Sequence, residues 1–201
     1  DLHSFPTRRS SDLDLYAINV NVTSAGYATF SSNKAVDFST LSETVLAKTA
    51  TVGANGKITY SDAVQVAANE GVLLQSVSGG AVSVDVPLAT GTVTASASND
   101  FVAIDETMKV DQTTDGYTNF ILANGANGVG FYKVNTNGSW CGAGTAYLKV
   151  ANGNVPAARE FFALWDEDAT SIDALLVDNG QSNNDTIFNL AGQHIAQPTK
   201  G

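Results

Sequence analysis

From Leu15 onward the chain alternates apolar and polar residues in short runs. Ile18, Val20 and Val22 are interleaved with Asn19, Asn21 and Thr23. That period of two turns one face of a strand to a core and the other to water. Similar runs follow at 26–30, 45–52, 57–60, 71–75, 81–86 and 101–104, and later at 117–122, 129–134, 145–150, 160–165 and 187–190. They are rich in Val, Ile, Thr, Tyr and Phe, which suit a pleated, half-buried surface. Asn-Gly pairs begin at Asn55, Asn124, Asn127, Asn137, Asn152 and Asn179. Asn tolerates the left-handed conformation and Gly has no Cβ to clash, so these pairs predict type I′ hairpin turns. No stretch of ten or more residues carries a helical stripe; the nearest, 39–47, offers one turn through Leu41, Val45 and Leu46.

Many short strands with closely spaced turns predict an all-β fold: an antiparallel β-sandwich, jelly-roll or Ig-like, over residues 14–165. After Trp165 the composition shifts. Residues 166–185 hold Asp166-Glu167-Asp168, Asp173, Asp178 and the polar run Gln181–Asp185, and read as a linker. A short β appendage follows over 186–201.

Composition narrows the function classes. The chain has 201 residues, 43% of them hydrophobic and 15% charged, with 10 Lys and Arg against 20 Asp and Glu. That is a globular composition in which roughly 70% of the unfolded surface is buried on folding. A net charge of −10 argues against nucleic acid, whose phosphates call for a basic face, and against an anionic membrane surface. Cys141 is the sole cysteine, which excludes an internal disulfide and a multi-thiolate zinc site. No apolar run approaches the ~20 residues of a membrane-spanning helix.

Residues 1–13, Asp1-Leu2-His3-Ser4-Phe5-Pro6-Thr7-Arg8-Arg9-Ser10-Ser11-Asp12-Leu13, resemble the translation of a common short-read sequencing adapter. They lack the apolar stretch of a signal peptide. The expectation is that this segment is an artefact, detached from the core, and that the native start lies upstream. It carries Asp1 and Asp12 against Arg8 and Arg9, so the rest of the chain keeps the net −10. Only one Arg, Arg159, and one His, His194, then belong to the native protein.

A resemblance enters at the C-terminus. Phe188, Asn189, Leu190, Gly192, Gln193, Pro198, Lys200 and Gly201 match the first half of a tail found on surface and secreted proteins of Bacteroidales such as Prevotella. His194 stands where that tail usually has Arg, and Ile195 where it has Val. The tail resembles the C-terminal sorting domains read by the type IX secretion system, so 186–201 reads as a truncated sorting motif. The body is similar to a companion region of the same proteins, through 25–30, 34–38, 71–74, 130–133, 146–148, 158–164 and 171–173. The resemblance implies export to the medium or the outer-membrane cell surface and a partner in the sorting machinery. It supplies no catalytic residue and no cofactor.

The remaining candidates are few. A Ser-His or Cys-His device would have to use His194, which lies in the sorting-like tail. Cys141, after Trp140 and between glycines, reads as a free, partly buried thiol. Asp105/Glu106 and Asp166/Glu167/Asp168 are the acid clusters for a glycosidase; both read as loops. Asp166, Asp168 and Asp173 offer the hard oxygens calcium takes, without an EF-hand or glycine-aspartate repeat. Gly125, Gly128 and Gly130 precede a strand rather than a helix, so they read as a hairpin turn and not a phosphate loop. Trp140 and Tyr132, with Tyr117 and Tyr147, would suit stacking on sugar rings or packing in a core. The reading is a non-catalytic, surface-associated accessory domain preceding a sorting tail. A carbohydrate-binding module is the alternative, and a glycoside hydrolase remnant a more distant one.

Overall fold

A computed structural model of the chain describes residues 16–155 and 159–165 in full, with the backbone of 187–188 and 194–195. The segments read as adapter, linker and most of the sorting motif lie outside the described residues. The chain forms two compact units, 1–166 and 167–201. In the first, the strands in chain order are β1 (Ala17–Val22), β2 (Tyr27–Phe30), β3 (Val36–Asp37), β4 (Val45–Val52), β5 (Ile58–Asp62), β6 (Gln65–Val66), β7 (Val72–Ser76) and β8 (Val82–Pro87). They continue as β9 (Phe101–Ile104), β10 (Met108–Val110), β11 (Thr113–Thr114), β12 (Tyr117–Gly125), β13 (Gly128–Lys133), β14 (Ser139–Cys141), β15 (Thr145–Ala151) and β16 (Phe161–Ala163). In the second, β17 (Ile187–Phe188) pairs antiparallel with β18 (His194–Ile195).

The fold is all-β and antiparallel, a sandwich with a sheet buried on both sides. That middle sheet runs β2-β7-β4-β5. Val72 and Leu74 of β7 pack with Val45 and Ala47 of β4 against Val20, Val22, Val36, Val66 and Val86. Those partners belong to the pairs β1-β8 and β3-β6, joined into an outer layer by a bridge between Val36 and Leu88. Leu73, pointing the other way, packs with Ala50 and Val52 against Phe101, Phe120, Phe131, Leu148, Val150 and Phe162 of the sheet β16-β13-β12-β15-β9. Three consecutive residues, Val72, Leu73 and Leu74, are therefore fully buried. A strand covered on both faces has no need of alternation. The ribbon β10-β14 covers part of the far face of the large sheet, closing Val110 and Cys141 over Ile104, Ile121, Val134 and Tyr147.

The turns correct one expectation. None of the described Asn-Gly pairs puts its Asn at positive φ; the non-glycine residues there are Asn69 and Asp115. The type I′ geometry belongs to Asp115-Gly116, with φ of 47° and 85°, which joins β11 to β12. Between β12 and β13 the turn residues are Ala126 and Asn127, followed by Gly128 at φ 85°. This is a turn whose strain is taken by one left-handed glycine. Gly125, Gly128 and Gly130 thus belong to a hairpin. Gly130 is also a close approach, since a Cβ there would collide with the Phe161 ring. The expected single turn at 39–47 exists: Val45 N–H reaches Leu41 C=O before β4 begins.

Two-sided burial predicts equal sensitivity on both faces of β7. Leu73→Ala and Leu74→Ala are each expected to cost about 2–5 kcal/mol in denaturant titrations. If either face were open to water, its substitution would cost well under 1 kcal/mol.

Candidate functional site

Hydrogen-bond phase along two strands determines where the surface offers binding groups. Leu88 N–H donates to Tyr16 C=O, so Ile18, Val20 and Val22 bond to β8 while the backbone of Asn19 and Asn21 points away from it. Ser76 N–H donates to Gly26 C=O, so Ala28 and Phe30 bond to β7 and the backbone of Tyr27, Thr29 and Ser31 points outward. Tyr27 C=O then accepts from Thr23 Oγ1 and Ser31 N–H donates to Gly144 C=O. The backbone amide and carbonyl of Asn19, Asn21 and Thr29 have no partner among the described residues.

These groups face a groove. One section, of about 560 Å³, runs from Ile18–Asn21 across Thr29–Asn33 to Ile104, Asp105 and Ala143–Thr145. A second, of about 490 Å³, continues past Thr23–Ala25 to Leu122–Asn124 and Val129; the two share Asn21, Thr29 and Thr145. The lining is mostly amide, hydroxyl and aliphatic, with Asp105 as its one carboxylate. A chain of carboxamides stands along the exposed face of β1: Asn21 Nδ2 donates to Asn19 Oδ1 at 3.2 Å, and Asn19 Nδ2 to Asp85 Oδ1 at 2.8 Å. Below them Ser31 Oγ donates to Thr145 C=O at 2.7 Å. Such an arrangement offers hydrogen-bonding groups and shape to a ligand.

Several acids serve the frame. Glu70 is 8% exposed and accepts from Ala67 N–H (3.1 Å), Ser96 N–H (2.8 Å) and Asn99 Nδ2 (3.3 Å). Asp100 Oδ2 accepts from Val52 N–H at 2.7 Å. Asp62 pairs with Lys48 and Glu160 with Lys133. Hydrogen bonds from Ser39 and Gln65 hold the Asp37 carboxyl below its ordinary value. Sequence reasoning overlooked Glu70, Asn99 and Asp100, because their partners lie up to 49 residues away.

The nominated residues disperse. Trp140 is 73% exposed on β14 opposite Lys109, on the ribbon face turned away from Val110 and Cys141. Tyr132 stands on the large sheet, its ring 4.7 Å from that of Phe161 and its hydroxyl bonded to Asn127 N–H and Gly128 C=O. Tyr147 is half-buried beneath the ribbon, and Tyr117 lies under Lys149 Nζ at 4.4 Å. Trp140 and Tyr132 thus share no platform. An aromatic cluster that sequence reasoning missed gathers at Trp165, whose Nε1 donates to Tyr27 Oη at 2.8 Å and whose ring lies 4.9 Å from that of Tyr60. Asp105 and Glu106 are exposed; Asp105 borders the groove. Asp166, Asp168 and Asp173 lie outside the described residues, as do the side chains of the sorting-like motif. Among the described residues, no three His, Cys, Asp or Glu converge as a metal cage would.

Cys141 is a free, half-buried thiol whose pKa burial pushes up; burial, and then Cys141 itself, push Tyr147 up. No known family, no curated protein and no solved structure matches the chain.

Two pH limbs follow. Asp37, depressed in the folded state, contributes stability that is present above the ordinary carboxylate range and lost as pH falls through its folded value. Cys141 and Tyr147, raised in the folded state, hold protons that the unfolded chain releases, so stability falls as pH rises past the ordinary thiol range. Melting temperature against pH is expected to decline at both ends. Asp37→Asn should flatten the acid limb and Cys141→Ser the alkaline one. A substitution that moves the opposite limb would contradict the assignment.

Proposed function

We propose that this chain is a non-catalytic accessory domain of an exported, surface-associated protein of Bacteroidales type, carried ahead of a type IX-like sorting tail. The observation that carries the non-catalytic half is the use made of the best-buried acid. Glu70 accepts hydrogen bonds from two backbone amides and a carboxamide, so its oxygens are committed to holding loops. A catalytic carboxylate must instead keep an oxygen free for the bond it protonates or attacks. Export rests on the matched residues Phe188–Leu190, Gly192, Gln193, Pro198, Lys200 and Gly201. The test is a fusion of a soluble reporter to residues 166–201, extended by the closing half of an established type IX sorting tail, in a type IX-competent bacterium. Surface display is the expected outcome. A reporter left in the periplasm would overturn the sorting assignment.

One observation favours a carbohydrate-binding module as the second reading. Trp140, at 73% exposed, is the most open large hydrophobic side chain among the described residues, and Lys109 beside it supplies a hydrogen-bond donor. A flat, solvated indole with an adjacent polar group suits the face of a sugar ring. If the reading holds, Trp140→Ala abolishes binding on a glycan array while leaving stability within about 0.5 kcal/mol. Binding that survives Trp140→Ala, or none by the unsubstituted chain, removes it.

A further inference from the structure

We propose that the open edge of β1 is a self-association surface, on which a second copy of the chain adds its own β1 antiparallel about a two-fold axis through Val20.

The argument begins with what an edge strand must avoid. Unpaired amides and carbonyls in a row are a template for another strand, and proteins guard them with charge, proline or brevity. Several other edges here are guarded, while the uncharged edges β2 and β14 are only four and three residues long. β5 ends in Asp62, which pairs with Lys48; β9 is flanked by Asp100 and Asp105; β16 follows Arg159 and Glu160; β6 has two residues. β1 reads Ala17-Ile18-Asn19-Val20-Asn21-Val22, six residues without a charge or proline. It is the longest uncharged edge among the described residues.

The strand is also its own complement. Its polarity is symmetric about Val20: Asn19 and Asn21 on one face, Ile18 and Val22 on the other. Laid antiparallel with Val20 opposite Val20 of the second copy, each Asn19 falls opposite an Asn21. These are the residues whose backbone points away from β8, so each such pair exchanges reciprocal N–H to C=O bonds and satisfies the groups left open. The carboxamides of Asn19 and Asn21 then stand side by side across the junction, where amide side chains can extend their ladder. On the buried face Ile18 meets Val22, which continues the apolar row above the first core. One-residue slippage would bring Asn against Val and lose both matches.

A ledge supports the added strand. The groove exists because the outer layer stops at β1 while Thr29, Ser31, Ile104 and Thr145 of the layers beneath extend past it. An extra strand in the outer layer would cover its mouth. The net charge of −10 opposes association at long range, and salt screens that repulsion beyond about 10 Å at 0.1 M.

Sedimentation velocity of the 201-residue chain from about 1 µM to about 1 mM tests the proposal. Expected is a concentration-dependent shift from one-chain to two-chain species that strengthens with added salt. Asn19→Lys combined with Asn21→Lys sets ammonium groups opposite one another across the axis and should weaken dimerisation at least tenfold. Asn21→Pro removes an outward N–H without touching the β8 ladder and should do the same. Thr59→Lys, exposed on β5, should leave the dimer intact. Circular dichroism confirms that each variant folds, and either β1 variant suffices. A chain that stays monomeric throughout, or a dimer that survives both β1 variants, overturns the proposal. The outcome is independent of export and of glycan binding.

Discussion

Burial of the middle sheet on both faces is the constraint from which the rest of the architecture follows. β7 offers no side chain to water between Val72 and Leu74, so polar obligations of the backbone must be met at the strand ends. The connection before β9 does this. Asn99 Oδ1 accepts from Ala50 N–H and Phe101 N–H while its amide donates to Gly71 C=O. Asp100 N–H donates to Ala50 C=O, and its side chain holds Val52 N–H. This short segment ties β4 and β7 to the start of the large sheet. Packing there leaves little slack: a Cβ on Gly71 would come within 2.7 Å of Ala146 Cβ. Buried backbone without such partners would cost about 1–3 kcal/mol per group, which is why Asn99 and Asp100 stand half-buried beside an otherwise apolar region.

Strand existence was legible in the sequence, and for a local reason. Alternation in β1 and the β-branched run of β4 are properties of adjacent residues, and the boundaries at 45–52 and 101–104 coincide with the observed strands. The number of layers was not legible. Gly71-Val72-Leu73-Leu74 reads as a short apolar run whether one face is covered or both, and only contacts with residues far along the chain decide it. Turn type was misread for a related reason. Asn-Gly permits a type I′ turn, but the register of the flanking strands selects the conformation; Asp115-Gly116 has it because Thr114 pairs with Tyr117 across two residues.

The site residues separate along the same line. Alternation tells which side chains share a face, so Tyr132 and Ile121 as neighbours on one row of the large sheet follow from register. It does not tell that β10 and β14 lift off as a ribbon, which turns Trp140 to water and Cys141 to the sheet. The aromatics therefore appeared in the sequence as one possible platform and occupy separate places in the fold. Glu70 carried no signal at all, since a single Glu beside Gly gives no hint of donors at Ser96 and Asn99.

Charge distribution completes the argument about surfaces. A strongly acidic chain stays dispersed through repulsion between like-charged molecules, and that repulsion is weakest where a neutral surface separates the charges. Among the described residues, Asp85 stands one strand from β1, bonded to Asn19, and Asp105 borders the groove. Hydrogen bonds formed across such an edge gain from the low charge density beside them, whereas an edge bordered by Asp62 or Glu160 must first desolvate an ion. An uncharged strand edge favours backbone recognition. An amide-lined edge with its ladder already ordered by Asp85, Asn19 and Asn21 needs little rearrangement to accept another strand.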